Sequence, residues 1–223
     1  MKKLITIVAA VFFSVPALAF DTSRLSVGLT GNYGVYAADG QEKNYNRAGT
    51  VDRTTKVNDK AFVDEYASIM VEFALNDQVS IGVERAEAFQ TPKNINEGEG
   101  ADNGTDITVE AKFDEFTSAY LMVKGPLGFY AKAGIAQVSV DVTSENAGTY
   151  TEDHDIDGEM LAIGYSHDTG NSGISLRAEI AYHTFDDISA NNGVTSSNSS
   201  QRNEIEVSDM RGATAKLSIV KSF

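Results

Sequence analysis

GATAKLSIVKSF, residues 212–223, ends the sequence on an aromatic residue. Counted back by twos, Ile219, Leu217, Ala215 and Ala213 share a face with Phe223, while Ser222, Ser218, Lys216, Thr214 and Gly212 take the other. Alternation with a period of two is the pattern of a strand with one apolar side. Such a strand at the end of a sequence must pair with one already made, and the first strand is the obvious partner. The pattern therefore predicts a closed sheet.

Working outward, the same alternation returns along the chain. Residues 24–37 place Leu25, Val27, Leu29, Tyr33 and Val35 against Ser26, Gly28, Thr30 and Asn32. Residues 66–75, 79–89, 107–124, 129–142, 159–167 and 174–185 repeat it. Asn76-Asp77-Gln78, Gly125-Pro126-Leu127-Gly128 and residues 168–173 read as short turns. Residues 38–60, 90–106, 141–157 and 186–208 read as long polar loops. Long and short connections thus alternate, as in up-and-down strands whose turns lie on one side of a membrane and whose loops lie on the other. The expected fold is an all-β, antiparallel up-and-down transmembrane β-barrel of about eight strands, with short periplasmic turns and long extracellular loops. A soluble, lipocalin-like ligand binder is the opposing reading, with the apolar parity turned inward.

Aromatic placement separates the two, because membrane barrels carry aromatic girdles at both interfaces. Phe73, Phe129, Tyr165 and Phe223 share the apolar parity near the turn end; Tyr33, Phe89, Phe113 and Tyr182 share it near the loop end. Arg85, Glu87 and Glu115 fall on that parity too. Either their strands leave the bilayer early or a β-bulge shifts them. Lys221, near the turn-side interface, can snorkel.

The N-terminus carries Lys2 and Lys3, an apolar run from Leu4 to Val15, and Ala17-Leu18-Ala19 before Phe20. That is the layout of a cleaved secretory signal peptide over residues 1–19, leaving a barrel domain over residues 20–223. No later continuous apolar run is long enough for a membrane helix. Cysteine is absent, so disulfides and thiolate metal sites are excluded. The net charge of −14 becomes −16 without the two leader lysines, which argues against nucleic acid as a partner.

Three stretches carry a family resemblance: SLRAEIAYHTFDDI at 175–188, GPLGFYAKAGIA at 125–136, and the aromatic C-terminus. They resemble the outer-membrane-protein-A-like superfamily of small, porin-family β-barrels of Gram-negative bacteria. The resemblance implies residence in the outer membrane, contact with its lipid and lipopolysaccharide, and insertion by the barrel-assembly machinery, with Phe223 part of the signal that machinery reads. Lys221 departs from the family pattern, which favours an apolar or aromatic residue there. The larger relatives carry a peptidoglycan-binding domain after the barrel; this sequence stops at its last strand, so such an anchor is not expected.

The opposite parity collects Glu72, Glu110, Lys112, Lys132, Arg177, Glu179 and Lys216. In a barrel of about eight strands the interior is just wide enough for side chains to fill it. Buried charges need partners, so these residues are expected to form a lumen network that plugs the barrel. The expected role is structural or surface interaction by a monomer, without enzymatic activity or cofactor; a narrow porin-like diffusion channel is the alternative. Two weaker motifs remain in the sequence. His183, with Thr184 and Asp186 nearby, reads as a rim histidine before it reads as a catalytic base. Residues 153–158, DHDIDG, begin like a calcium loop but place Gly164 where the bidentate glutamate belongs, so a solvated acidic loop is expected.

Overall fold

The alternating segments do form strands, and they close. The computed structural model describes residues 22–46, 49–89, 94–99, 106–145, 154–170, 173–191 and 202–223. The expected leader lies outside the described residues. The strands are β1 (Leu25–Tyr45), β2 (Val51–Ala74), β3 (Val79–Phe89), β4 (Asn94–Glu99), β5 (Asp106–Lys124), β6 (Phe129–Glu145), β7 (His154–Asp168), β8 (Ile174–Phe185), β9 (Ile188–Asn191) and β10 (Arg202–Ser222). Antiparallel pairing runs β1-β2-β3-β5-β6-β7-β8-β10, and β1 pairs β10 to complete an eight-membered ring. The short β4 pairs β5 beyond the end of β3, and β9 pairs β10 beyond the end of β8, so each prolongs an existing stave.

The ring is staggered. Stepping across strands from His167 leads through Leu176, Ile219, Leu29, Ile69, Arg85, Thr117 and Gln137 back to β7 at Asp157. The return point lies ten residues nearer the loop end, 157 against 167. Such a stagger goes with strands tilted by roughly 35–45° to the barrel axis.

Burial decides which face is which. Leu217, Ile163 and Leu29 are 71%, 68% and 60% exposed, while Thr30, Ser118 and Lys216 are buried. The apolar parity faces outward, toward lipid, and the polar parity fills the lumen. The lipocalin-like reading is thereby excluded. Inward glycines make room for inward tyrosines on the neighbouring strand. Gly82 pairs Tyr120, Gly164 pairs Tyr130 and Gly212 pairs Tyr36, and a Cβ at each glycine would collide with that ring.

The turns match the sequence reading. At the β2–β3 turn the Asn76 side-chain oxygen accepts from the backbone N–H of Gln78 and of Val79. The loops do not match: residues 38–60, expected as loop, are mostly strand, and β1 and β2 meet through a tight connection at Asn46–Thr50. Residues 154–158 likewise belong to β7, which overturns the acidic-loop reading of that stretch. Beyond the bilayer both faces of a hairpin meet water, so no alternation marks it. Backbone pairing holds it together.

Of the outward charges, Arg85 and Glu115 form an ion pair at 2.6 Å. The β5–β6 register does slip between Phe113 and Glu115, but on the loop side of that pair, which keeps its outward parity. The arginine reaches toward the loop end instead of sitting alone in lipid.

This orientation makes a direct prediction. Ile163→Arg, placed among Ile180 and Ala131 on the outer face, should lower the unfolding free energy in lipid vesicles by about 2–4 kcal/mol. Urea titration followed by circular dichroism would measure it; no loss would mean this face does not meet lipid.

Candidate functional site

The lumen is the candidate site, built by one inward residue from each of several strands. At its centre Lys216 (β10) donates to Glu84 Oε2 (β3) at 2.9 Å and lies 3.7 Å from Glu179 Oε1 (β8). Lys132 (β6) lies 2.8 Å from Glu179 Oε2 and 3.8 Å from Glu72 Oε1 (β2). Arg177 (β8) donates from Nη1 to both oxygens of Glu72, at 2.8 Å each. Sign alternates at every step from Glu84 to Arg177, and all six side chains are buried.

Neutral groups complete the cluster. Tyr120 and Tyr130 donate their hydroxyls to Glu72 and Glu179 at 2.9 and 3.0 Å. The Lys132 ammonium stands 4.2 Å from the Tyr120 ring centroid, a cation–π contact. Ser68 donates to Glu84 at 2.6 Å, and Asn32 donates to Ser68 at 2.9 Å. The chain of contacts therefore crosses the whole lumen, from β1 on one side to β6 and β8 on the other.

Toward the loop end the lining changes character. Tyr36, Tyr66, Phe116, Val138, Ile156 and Phe185 are buried in one apolar cluster with Met210. On each strand the cluster residue lies loopward of the polar one: Tyr36 beyond Asn32, Phe116 before Tyr120, Phe185 beyond Glu179. An aromatic plug thus stands over the ion cluster.

Five of the seven residues expected in the lumen, Glu72, Lys132, Arg177, Glu179 and Lys216, are brought together here. The side chains of Glu110 and Lys112 lie outside the described residues. Glu84 was missed, although Ser80, Gly82 and Glu84 alternate against Val79, Ile81 and Val83 by the same rule. Of the expected girdles, Tyr33, Phe129, Tyr165, Tyr182 and Phe223 are exposed on the outer face and Phe73 is half-buried; Phe129 and Tyr165 meet edge to face at 5.3 Å. The side chains of Phe89 and Phe113 lie outside the described residues.

Two other motifs resolve. His183 is fully buried among the plug rings, against Phe116 and Phe185, instead of at the rim. Thr184 points to the opposite, outer face, so the pair that a nucleophile and its base would need is not formed. In the calcium-like stretch Asp155 accepts from Ser139 and Asp157 from Gln137 across the β6–β7 pair.

Removing one partner from a buried ion pair leaves the other uncompensated, which costs about 3–5 kcal/mol. Lys216→Met should therefore destabilise the barrel by about that amount, and adding Glu84→Gln should recover a large part of the loss. Urea unfolding of single and double variants checks this, and additive losses would show that the two groups are not coupled.

No family model and no curated protein matches the sequence. Solved structures do match. Outer membrane protein OprG from Pseudomonas aeruginosa is similar with a TM-score of 0.54 and 11% identity, over 89% of this chain and 96% of that one. AlkL in lipid bilayers is similar at 0.44 with 15% identity, over 93% and 94%. Neisserial surface protein A is similar at 0.36 with 13% identity, over 86% and 97%. At 11% identity the OprG likeness speaks to fold alone, and it does not single out the outer-membrane-protein-A-like or porin branch. With its closed ring, apolar exterior and charged interior, this chain has the fold of the small outer-membrane β-barrels.

Proposed function

We propose that this chain is a monomeric outer-membrane barrel whose lumen is sealed, and whose role is structural or lies in the contacts made at its loop end. The leader over residues 1–19 directs export and is cleaved. Phe223 belongs to the signal read by the barrel-assembly machinery, and the outer face meets lipid and lipopolysaccharide.

One observation carries the sealed-lumen reading: three carboxylates and three cations alternate in sign across the barrel, beneath an aromatic plug. A conducting path needs a continuous lining that favours entry and exit, commonly of one sign. Alternation instead consumes each charge in its neighbours, and the plug removes polar surface just where a solute would enter. This arrangement weighs against the narrow-channel alternative. The unformed His183 constellation weighs against catalysis in the same lumen.

The mature protein refolded into a planar bilayer should be silent, and Arg177→Ala should show no change in open-channel size because there are no openings to change. Steady openings in the parent protein whose size shifts in Arg177→Ala would establish a pore lined by the charged cluster and sink the sealed-lumen reading.

A further inference from the structure

Most polar side chains of the described lumen have a partner; Ser118 and His183 are the two described there whose side chains have none, and of these only His183 can take up a proton. Its side chain is fully buried, and neither Nδ1 nor Nε2 has a hydrogen-bond partner among the described residues. Buried imidazole nitrogens are ordinarily satisfied, and an unsatisfied one calls for an explanation. The ring is a member of the aromatic plug. It meets Phe116 edge-on at 5.4 Å and stacks on Phe185 at 6.2 Å with 15° between planes.

The elements around it are specific. Phe116 reaches it from β5, Met160 pairs with it from β7, and Gly212 pairs with it from β10. The charged groups acting on it are Lys216 of β10 and Glu84 of β3, which are already bonded to each other. A phenylalanine would satisfy the packing equally well. What histidine adds over phenylalanine is the ability to take up a proton.

We propose that His183 is a proton-operated latch on the aromatic plug. Neutral, it is one of the rings that seal the loop end. On protonation it becomes an imidazolium with no acceptor in its slot and the Lys216 ammonium as a charged neighbour. Its escape toward water unseats Phe116 and Phe185 and loosens the loop-end half of the lumen, leaving the turn-end ion cluster in place. This rests on the sealed-lumen reading, which the bilayer recording tests separately at neutral pH.

The test is an acid titration of the refolded barrel to about pH 2, far below the ordinary histidine range because a slot without acceptors opposes the imidazolium, with near-ultraviolet circular dichroism reporting the packing of buried tyrosines such as Tyr36 and Tyr66. Far-ultraviolet dichroism reports the sheet. The expected result is a reversible loss of the near-ultraviolet signal with the sheet retained, absent in both His183→Phe and His183→Gln. The glutamine variant keeps a polar, non-titrating group should the phenylalanine variant fail to refold. An unchanged signal in the parent protein overturns the latch. So does an identical transition in the variants, which would assign the acid response to the carboxylates of the ion cluster, Glu72, Glu84 and Glu179.

Discussion

In hydrocarbon there is no water to satisfy a backbone N–H or C=O, so a sheet that spans a bilayer has to close on itself. The pairing of β1 with β10, running from Ser26 and Ser222 to Tyr45 and Arg202, meets that requirement. The rest of the molecule follows from it. Closure with this stagger sets the strand tilt and the width of the lumen, and the width sets what can occupy it. An eight-stranded ring leaves room for side chains and little else.

That narrowness explains the chemistry of the interior. Charged groups taken out of water are costly unless each finds an opposite partner and its remaining hydrogen bonds. Here Glu72 is bound by Arg177 and Tyr120, Glu84 by Lys216 and Ser68, and Glu179 by Lys132 and Tyr130. The tyrosines that complete these bonds fit because a glycine sits opposite each of Tyr120 and Tyr130 on the next strand. Backbone pairing, glycine placement and charge pairing are therefore one connected solution.

The two ends of the lumen differ. Near the turns the filling is ionic and cross-linked between strands, whereas near the loops it is largely aromatic, packed around one hydrogen bond between the Tyr36 and Tyr66 hydroxyls at 2.9 Å. A cluster held mostly by packing, with few directional bonds, rearranges at lower cost than a closed ion cluster, so any response of the interior to its surroundings belongs at the loop end. The strands themselves continue past the apolar band there, and paired groups such as Lys43 with Glu204 and Glu206 on β1 and β10 stiffen that extension. The Glu206 carboxylate, hydrogen-bonded to the Lys43 ammonium, holds that lysine above its ordinary pKa.

The sequence by itself determined the barrel, its eight staves and which parity meets lipid, because each spanning strand has one face in hydrocarbon and one in the lumen, and that difference is written as alternation. The same rule placed Glu72, Lys132, Arg177, Glu179 and Lys216 inside. Only the tertiary structure decided which of them touch, since partners such as Arg177 and Glu72 lie 105 residues apart and meet through register and stagger. It also decided where the strands end. Past the bilayer, β1 and β2 carry polar residues on both faces, and alternation disappears although the hydrogen bonds continue. Alternation put His183 on the inward parity and raised a bulge near Glu115, but the depth of the His183 slot and the place of the register slip between Phe113 and Glu115 were decided by the neighbouring strands.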